Sequence, residues 1–210
     1  MKDLDFIHHF LAAKNGSSRT LLLLHGTGGN ENQLLDLGRA IDSSAALLSP
    51  RGKVLENGAA RFFRRFAEGV FDEADVISRA REVADFVEEA IARYAIDANN
   101  LVAVGYSNGA NITVAMMLLG VAKFPEAILL RAMVPLSRVE PPAATRPERA
   151  LILAGQFDPI VPVAAARKLA AILQKTGREV EFIVHPGVGH ELVENDVAAA
   201  RQWLGGARLD

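Results

Sequence analysis

The sequence predicts an α/β fold, a mostly parallel central sheet with helices on both faces. Three features predict it. Short apolar runs alternate with longer amphipathic segments along the chain, as in successive β-α units. Half of the 210 residues are hydrophobic, enough for one sizeable core. A serine between glycines follows an apolar run and precedes a helix-forming stretch, a sharp strand-to-helix turn. The length fits a single domain over residues 1–210 better than two.

Taken in order, residues 6–13 and 20–24 read as strands joined by the turn Asn15-Gly16-Ser17-Ser18. The Asn-Gly pair predicts that these two strands form an antiparallel hairpin. Residues 31–41 read as a helix and 45–48 as a short buried strand. Residues 50–72, interrupted by Gly52, Gly58 and Gly69, read as a loop region. Residues 75–94 carry Val76, Ile77, Ala80, Val83, Ala84, Val87 and Ile91 at helical spacing. Residues 101–104 form a strand and 108–119 a helix with almost no charge, hence buried on most sides. Residues 128–134 and 150–154 are two further strands, and the proline- and alanine-rich stretch 135–149 between them is too short to be a domain. A helix over 163–175 ends before Gly177, residues 180–184 make the last strand, and 191–204 the closing helix.

Bulk composition narrows the function. The net charge of -2 provides no global field for nucleic acid or an anionic membrane. Arg61, Arg64 and Arg65 do cluster, interleaved with Phe62, Phe63 and Phe66, but a solvated helix or loop face is the better reading. The absence of cysteine excludes disulfides, thiolate metal sites and a thiol nucleophile. Met1-Lys2-Asp3-Leu4-Asp5 lacks the basic lead of a signal peptide, and no apolar run approaches a membrane span. The expectation is a soluble, cytoplasmic protein without membrane insertion.

The chemistry concentrates in four loops. Gly105-Tyr106-Ser107-Asn108-Gly109 has the G-x-S-x-G pattern, with a strand before it and a helix after it. Such a turn lifts Ser107 clear of the sheet and sets it over a helix N-terminus, which favours developing negative charge. A serine hydroxyl needs a base. His8 and His9 lie in the N-terminal strands, and His25 ends an apolar strand. His185 is attached directly to the last strand, whereas His190 sits on a loop free to reach over the serine, so His190 is the preferred base and His185 a structural neighbour. Asp158, in Gly155-Gln156-Phe157-Asp158-Pro159 after the strand 150–154, is the acid that would orient the imidazole. The order Ser107, Asp158, His190 is the chain order of an α/β-hydrolase.

His25-Gly26-Thr27-Gly28-Gly29 follows the strand 20–24, where such enzymes supply half of an oxyanion hole. The expected donors are the backbone N–H groups of Thr27 and Asn108. A dinucleotide loop beginning at Gly26 would need glycine at position 31, which is Glu31, and no Gly-Lys-Ser/Thr follows. His190-Glu191-Leu192-Val193-Glu194 lacks the second histidine of a zinc-protease helix, so no metal is implied.

Four segments together carry a resemblance: residues 24–31, Gly105 to Asn111, residues 155–162 and Gly187-Val188-Gly189-His190. In these the chain resembles the phospholipase/carboxylesterase family of small α/β-hydrolases, relatives of acyl-protein thioesterases and dienelactone hydrolases. The resemblance implies a compact sheet flanked by helices, no cofactor, and often a homodimer. Dienelactone hydrolases use a cysteine where this chain has Ser107. With only residues 135–149 between two strands, no cap domain is expected and the cleft should be open. Phe62, Phe63, Phe66 and Phe71 either line that cleft or pack the loop onto the core, and Ile160 and Val161 are further candidate pocket walls. The activity expected is cleavage of a small-molecule carboxylic ester through an acyl-enzyme. Thioesterase or lysophospholipase activity, or a ligand-binding role with little turnover, are the alternatives.

Overall fold

Leu21, Leu22, Leu23 and Leu24 are all fully buried, so both faces of their strand are covered. The same holds for the neighbouring strands, and alternation along each one sends successive side chains into two separate cores. The computed structural model describes residues 4–137, 141–144 and 148–206. In chain order its elements are β1 (His8–Leu11), β2 (Thr20–Leu24), α1 (Leu35–Ile41), β3 (Ala46–Pro50), β4 (Val54–Glu56), β5 (Ala59–Arg61), β6 (Arg65–Ala67) and β7 (Val70–Phe71). There follow α2 (Glu73–Tyr94), β8 (Leu101–Tyr106), α3 (Asn108–Leu119), β9 (Glu126–Leu130), β10 (Arg149–Gly155), α4 (Val163–Lys175), β11 (Glu179–His185) and α5 (Glu194–Gly205).

The main sheet has the order β1-β3-β2-β8-β9-β10-β11, parallel throughout except for the antiparallel edge strand β1. On one face Leu22, Leu24, Ala103, Leu129 and Ile152 pack with residues of α2, α3 and α4. On the other, Leu21, Leu23, Val104, Ile128 and Leu151 pack with Ile41 of α1 and Ala200, Trp203 and Leu204 of α5. Helices therefore cover both faces, as expected. No cap domain intervenes among the described residues of the β9–β10 connection, whose residues 138–140 and 145–147 lie outside the described ones. Among the described residues, no helix is long and apolar enough to cross a membrane.

Several local expectations are corrected. The hairpin between residues 6–13 and 20–24 does not form, because β3 lies between the two strands and pairs antiparallel with β1 and parallel with β2. Asn15 and Gly16 do turn the chain, at φ 55° and 73°. However, fully buried β2 takes parallel neighbours on both sides, and half-buried β1 is left at the edge. The stretch 50–72 is no mere loop: it folds into two small antiparallel hairpins, β4–β5 and β6–β7. The strand expected over 128–134 stops at Leu130, since Arg131 adopts a left-handed φ of 55°. The first and last helices start later than expected, at Leu35 and Glu194.

Because β2, β8, β10 and β11 are parallel, the loops after them all leave the same end of the sheet. Those four loops carry Thr27, Ser107, Asp158 and His190.

Candidate active site

Strand β8 runs into α3 through one residue. Ser107 has φ 52° and ψ −111°, a sparsely populated conformation for a side-chain-bearing residue, and it serves as the N-cap position of α3. Its N–H donates to the Leu130 carbonyl at 2.9 Å, and its carbonyl accepts from Asn111 N at 2.9 Å. Packing explains the flanking glycines. A Cβ on Gly105 would lie 2.5 Å from Ala110 Cα, and one on Gly109 would run into the Leu24 carbonyl oxygen. Only without those atoms can the first turn of α3 sit against the ends of β2 and β8.

His190 Nε2 stands 2.9 Å from Ser107 Oγ, and its Nδ1 stands 2.7 Å from Asp158 Oδ2. A carboxylate only accepts, so Nδ1 carries the proton and Nε2 presents a lone pair to the hydroxyl. The Asp158 side chain is fully buried. Its other oxygen accepts the N–H groups of Ile160 at 2.8 Å and Val161 at 2.9 Å, which locks the carboxylate in its own loop. Three residues far apart in sequence thus form one hydrogen-bonded line.

The loop carrying His190 has no regular structure, and buried side chains hold it. Three successive carbonyls are engaged: Arg131 Nε donates to Gly189 O at 3.2 Å, Tyr106 Oη to His190 O at 3.0 Å, and Arg131 Nη2 to Glu191 O at 2.6 Å. Burial pushes the Tyr106 phenol above its usual range, which keeps the donor protonated. The Arg131 guanidinium is fully buried and makes a bidentate pair with Asp196, both contacts at 2.9 Å. His185 lies 3.2 Å from the same carboxylate, consistent with a structural neighbour.

The loop after β2 is pinned in the same manner. His25 Nδ1 donates to Gly26 O at 2.7 Å, while its Nε2 accepts from Gly52 N at 2.9 Å, so the ring sits as the neutral Nδ1–H tautomer. Burial holds this imidazole below its usual range. Nearby, the Arg51 guanidinium holds the Glu31 carboxyl down to about 2. The N–H groups of Gly26, Gly28 and Gly29 are engaged by Gln33 Oε1, Ala60 O and Gly26 O. Among the described residues, the N–H groups of Thr27 and Asn108 have no acceptor within the protein. Both residues lie at the same end of the sheet as Ser107, following the adjacent parallel strands β2 and β8.

The aromatic pocket expected from Phe62 and Phe63 is corrected. Both are fully buried in the core, Phe62 tilted against His25 and Phe63 edge-on to Phe71. The Phe62 N–H also donates to Asn108 Oδ1 at 2.7 Å, so this segment braces the turn at Ser107 instead of facing the cleft. Ile160 is half-buried and Val161 buried. The phenylalanines exposed to solvent are Phe66 and Phe157, the latter next to Asp158. Arg61, expected on a solvated face, is 2 % exposed, and its Nη1 donates to Thr27 Oγ1 at 2.6 Å. Arg131 was not among the residues expected at the site, and its one signal in the sequence is a lone charge inside the apolar run 127–134.

The model of the phospholipase/carboxylesterase family matches residues 8–206. MhqD of Bacillus subtilis, which is named a hydrolase, is 44% identical over 191 residues, 90% of this chain and 94% of that protein. The crystal structure of the Bacillus cereus carboxylesterase has a TM-score of 0.88 at 42% identity, covering 93% of this chain and 91% of that one. A carboxylesterase from Mesorhizobium loti gives 0.91 at 33% identity, covering 99% and 98%.

Removing one partner of a buried ion pair strands the other, so Arg131→Met should lower the unfolding free energy by about 3–5 kcal/mol. Asp5→Asn, at the solvent-exposed pair with Lys53, should cost less than about 1 kcal/mol. Denaturant titrations of the two variants check the contrast. For His25 the folded state resists protonation, so its contribution is complete above the ordinary imidazole value of 6.5 and declines as pH falls below it. The Tm gap between wild type and His25→Gln should therefore narrow on acidification below that value. A gap independent of pH would contradict the assignment of a neutral, accepting ring.

Proposed function

The chain belongs to the phospholipase/carboxylesterase family of hydrolases, and from that premise we propose that it cleaves carboxylic esters with Ser107 as nucleophile, His190 as base and Asp158 as orienting acid. One observation carries the reading: the unbroken line Asp158 Oδ2–His190 Nδ1, 2.7 Å, and His190 Nε2–Ser107 Oγ, 2.9 Å. Both distances lie within hydrogen-bond reach, so proton transfer needs no prior rearrangement. The names of the Bacillus cereus and Mesorhizobium loti relatives support a carboxylic ester as the substrate class.

The reaction runs in two acyl transfers. His190 Nε2 takes the proton as Ser107 Oγ bonds to the ester carbonyl carbon, and the carbonyl electron pair moves onto its oxygen. The N–H groups of Thr27 and Asn108 hold that oxyanion, with the N-terminus of α3 adding its positive end. As the tetrahedral adduct collapses, the bond to the alcohol oxygen breaks and the imidazolium returns its proton to that oxygen. Water then repeats the sequence on the acyl-enzyme, releases the acid and restores the serine. Asp158 stays a carboxylate throughout, stabilising the imidazolium that forms and fades. Ile160 and Val161 follow the acid directly, and the half-buried side chain of Ile160 is the wall of this pair open to a substrate.

The test combines labelling with turnover. A fluorophosphonate should add once, at Ser107, by peptide mass spectrometry. Ser107→Ala should resist labelling and lose at least about a thousandfold in kcat on short-chain p-nitrophenyl esters, with an unchanged thermal melt. Acyl thioesters assayed in parallel give the substrate preference. Wild-type turnover by Ser107→Ala would overturn the nucleophile.

A further inference from the structure

Arg61 is the unexplained group beside this site. Its side chain is buried, although it closes a small hairpin and carries a charge. Burying a guanidinium is costly unless its donors are used. Nε donates to the Phe63 carbonyl at 3.1 Å, and Glu56 Oε2 lies 3.1 Å away, both on the same stretch of chain. Glu56 is shared, since it also pairs with Arg65 at 3.0 Å. The remaining contact leaves that stretch altogether: Nη1 donates to Thr27 Oγ1 at 2.6 Å.

The direction of that bond has a consequence. A guanidinium has no lone pair to offer, so the threonine oxygen must accept and its hydrogen must point away from Arg61. Among the described residues no protein group accepts that hydrogen, and Thr27 is exposed. By covalent geometry Oγ1 lies about 3 Å from its own backbone nitrogen in the gauche rotamers. In those rotamers an oxygen bound by the Thr27 N–H on the side-chain side of the backbone is within hydrogen-bond reach of the Thr27 hydroxyl.

We propose that the Thr27 hydroxyl is a third oxyanion donor, oriented by the buried guanidinium of Arg61, an inference that rests on the ester-hydrolase reading above. Thr27 is then a catalytic residue through both its backbone and its side chain, and Arg61 is a positioning residue acting through it. Arg61 contributes twice. It takes one lone pair of Oγ1, leaving the hydrogen as the free end, and its charge polarises the O–H toward donation. Negative charge on the substrate oxygen grows only in the transition state, so the effect belongs to kcat and not to KM.

Steady-state kinetics on one p-nitrophenyl ester test this with Thr27→Val, Thr27→Ser, Arg61→Met and the double variant Thr27→Val/Arg61→Met. Thr27→Val keeps the backbone N–H and the branched shape, and should lose about ten- to a hundredfold in kcat at near-constant KM. Thr27→Ser should recover most of that loss. Arg61→Met should lower kcat in the wild-type background but add little to Thr27→Val, because its effect runs through the hydroxyl. If Arg61→Met fails to fold, the comparison of valine with serine at position 27 decides alone. Wild-type kcat in Thr27→Val, equal losses in the valine and serine variants, or a change confined to KM would overturn the third donor. Any of these results beside an inactive Ser107→Ala leaves the nucleophile standing, whereas an active Ser107→Ala removes the reading on which both depend.

Discussion

The close approach of α3 to the ends of β2 and β8 governs the geometry of the site. It exists because positions 105 and 109 have no side chain, one facing Ala110 and the other the Leu24 carbonyl. With the helix seated that deeply, the residue between strand and helix has no room to relax and takes a positive φ. Asn108 then opens the first turn of α3, at the same end of the sheet as the loop that follows the adjacent strand β2. The burial of eleven residues along α3, packed between the sheet and α2, supplies the energy that holds a strained serine in place.

The loops themselves cannot draw on sheet or helix hydrogen bonds, and they are fixed instead by buried polar side chains. Asp158 divides its two oxygens between its own loop and His190. His25 divides its two nitrogens between Gly26 and Gly52. Arg131 reaches two carbonyls that bracket His190, and Asn108 Oδ1 holds Phe62. Each group would be costly to bury alone, and each is buried with partners for the atoms that do the holding. Such networks specify one arrangement, because any slip of the loop leaves a polar atom stranded.

Much of this was legible in the sequence. The apolar runs of β2, β8 and β10 announced a parallel sheet, and the glycines around Ser107 announced the sharp turn, since both signals are local. The loops bearing Asp158 and His190 were legible through their position after strands. What escaped was non-local. The Asn15-Gly16 turn is real, but nothing in residues 6–24 says that β3 will be inserted between the two strands. The arginines at 61 and 131 look like any surface charge until the fold wraps around them. Phe62 and Phe63 carry an apolar signal that serves a pocket or a core equally well, and only their burial beneath the turn at Ser107 distinguishes the two.

Arg61 and Arg131 answer one problem on opposite sides of the proposed nucleophile. A loop that must present a donor or a base cannot use its own side chains to hold itself without losing them to the chemistry. A guanidinium arriving from another element avoids this conflict. It donates at several angles and accepts nothing, so it can hold oxygen atoms without competing for the protons that the site needs. Arg131 holds only carbonyls and a carboxylate, leaving the His190 ring untouched, while Arg61 holds the lone pair of a hydroxyl and leaves its hydrogen. A lysine would supply the charge but not the fixed fork, and a carboxylate or amide would bring acceptors into places where free donors are required. The choice of residue at both positions therefore follows from which half of each hydrogen bond the reaction leaves for the scaffold.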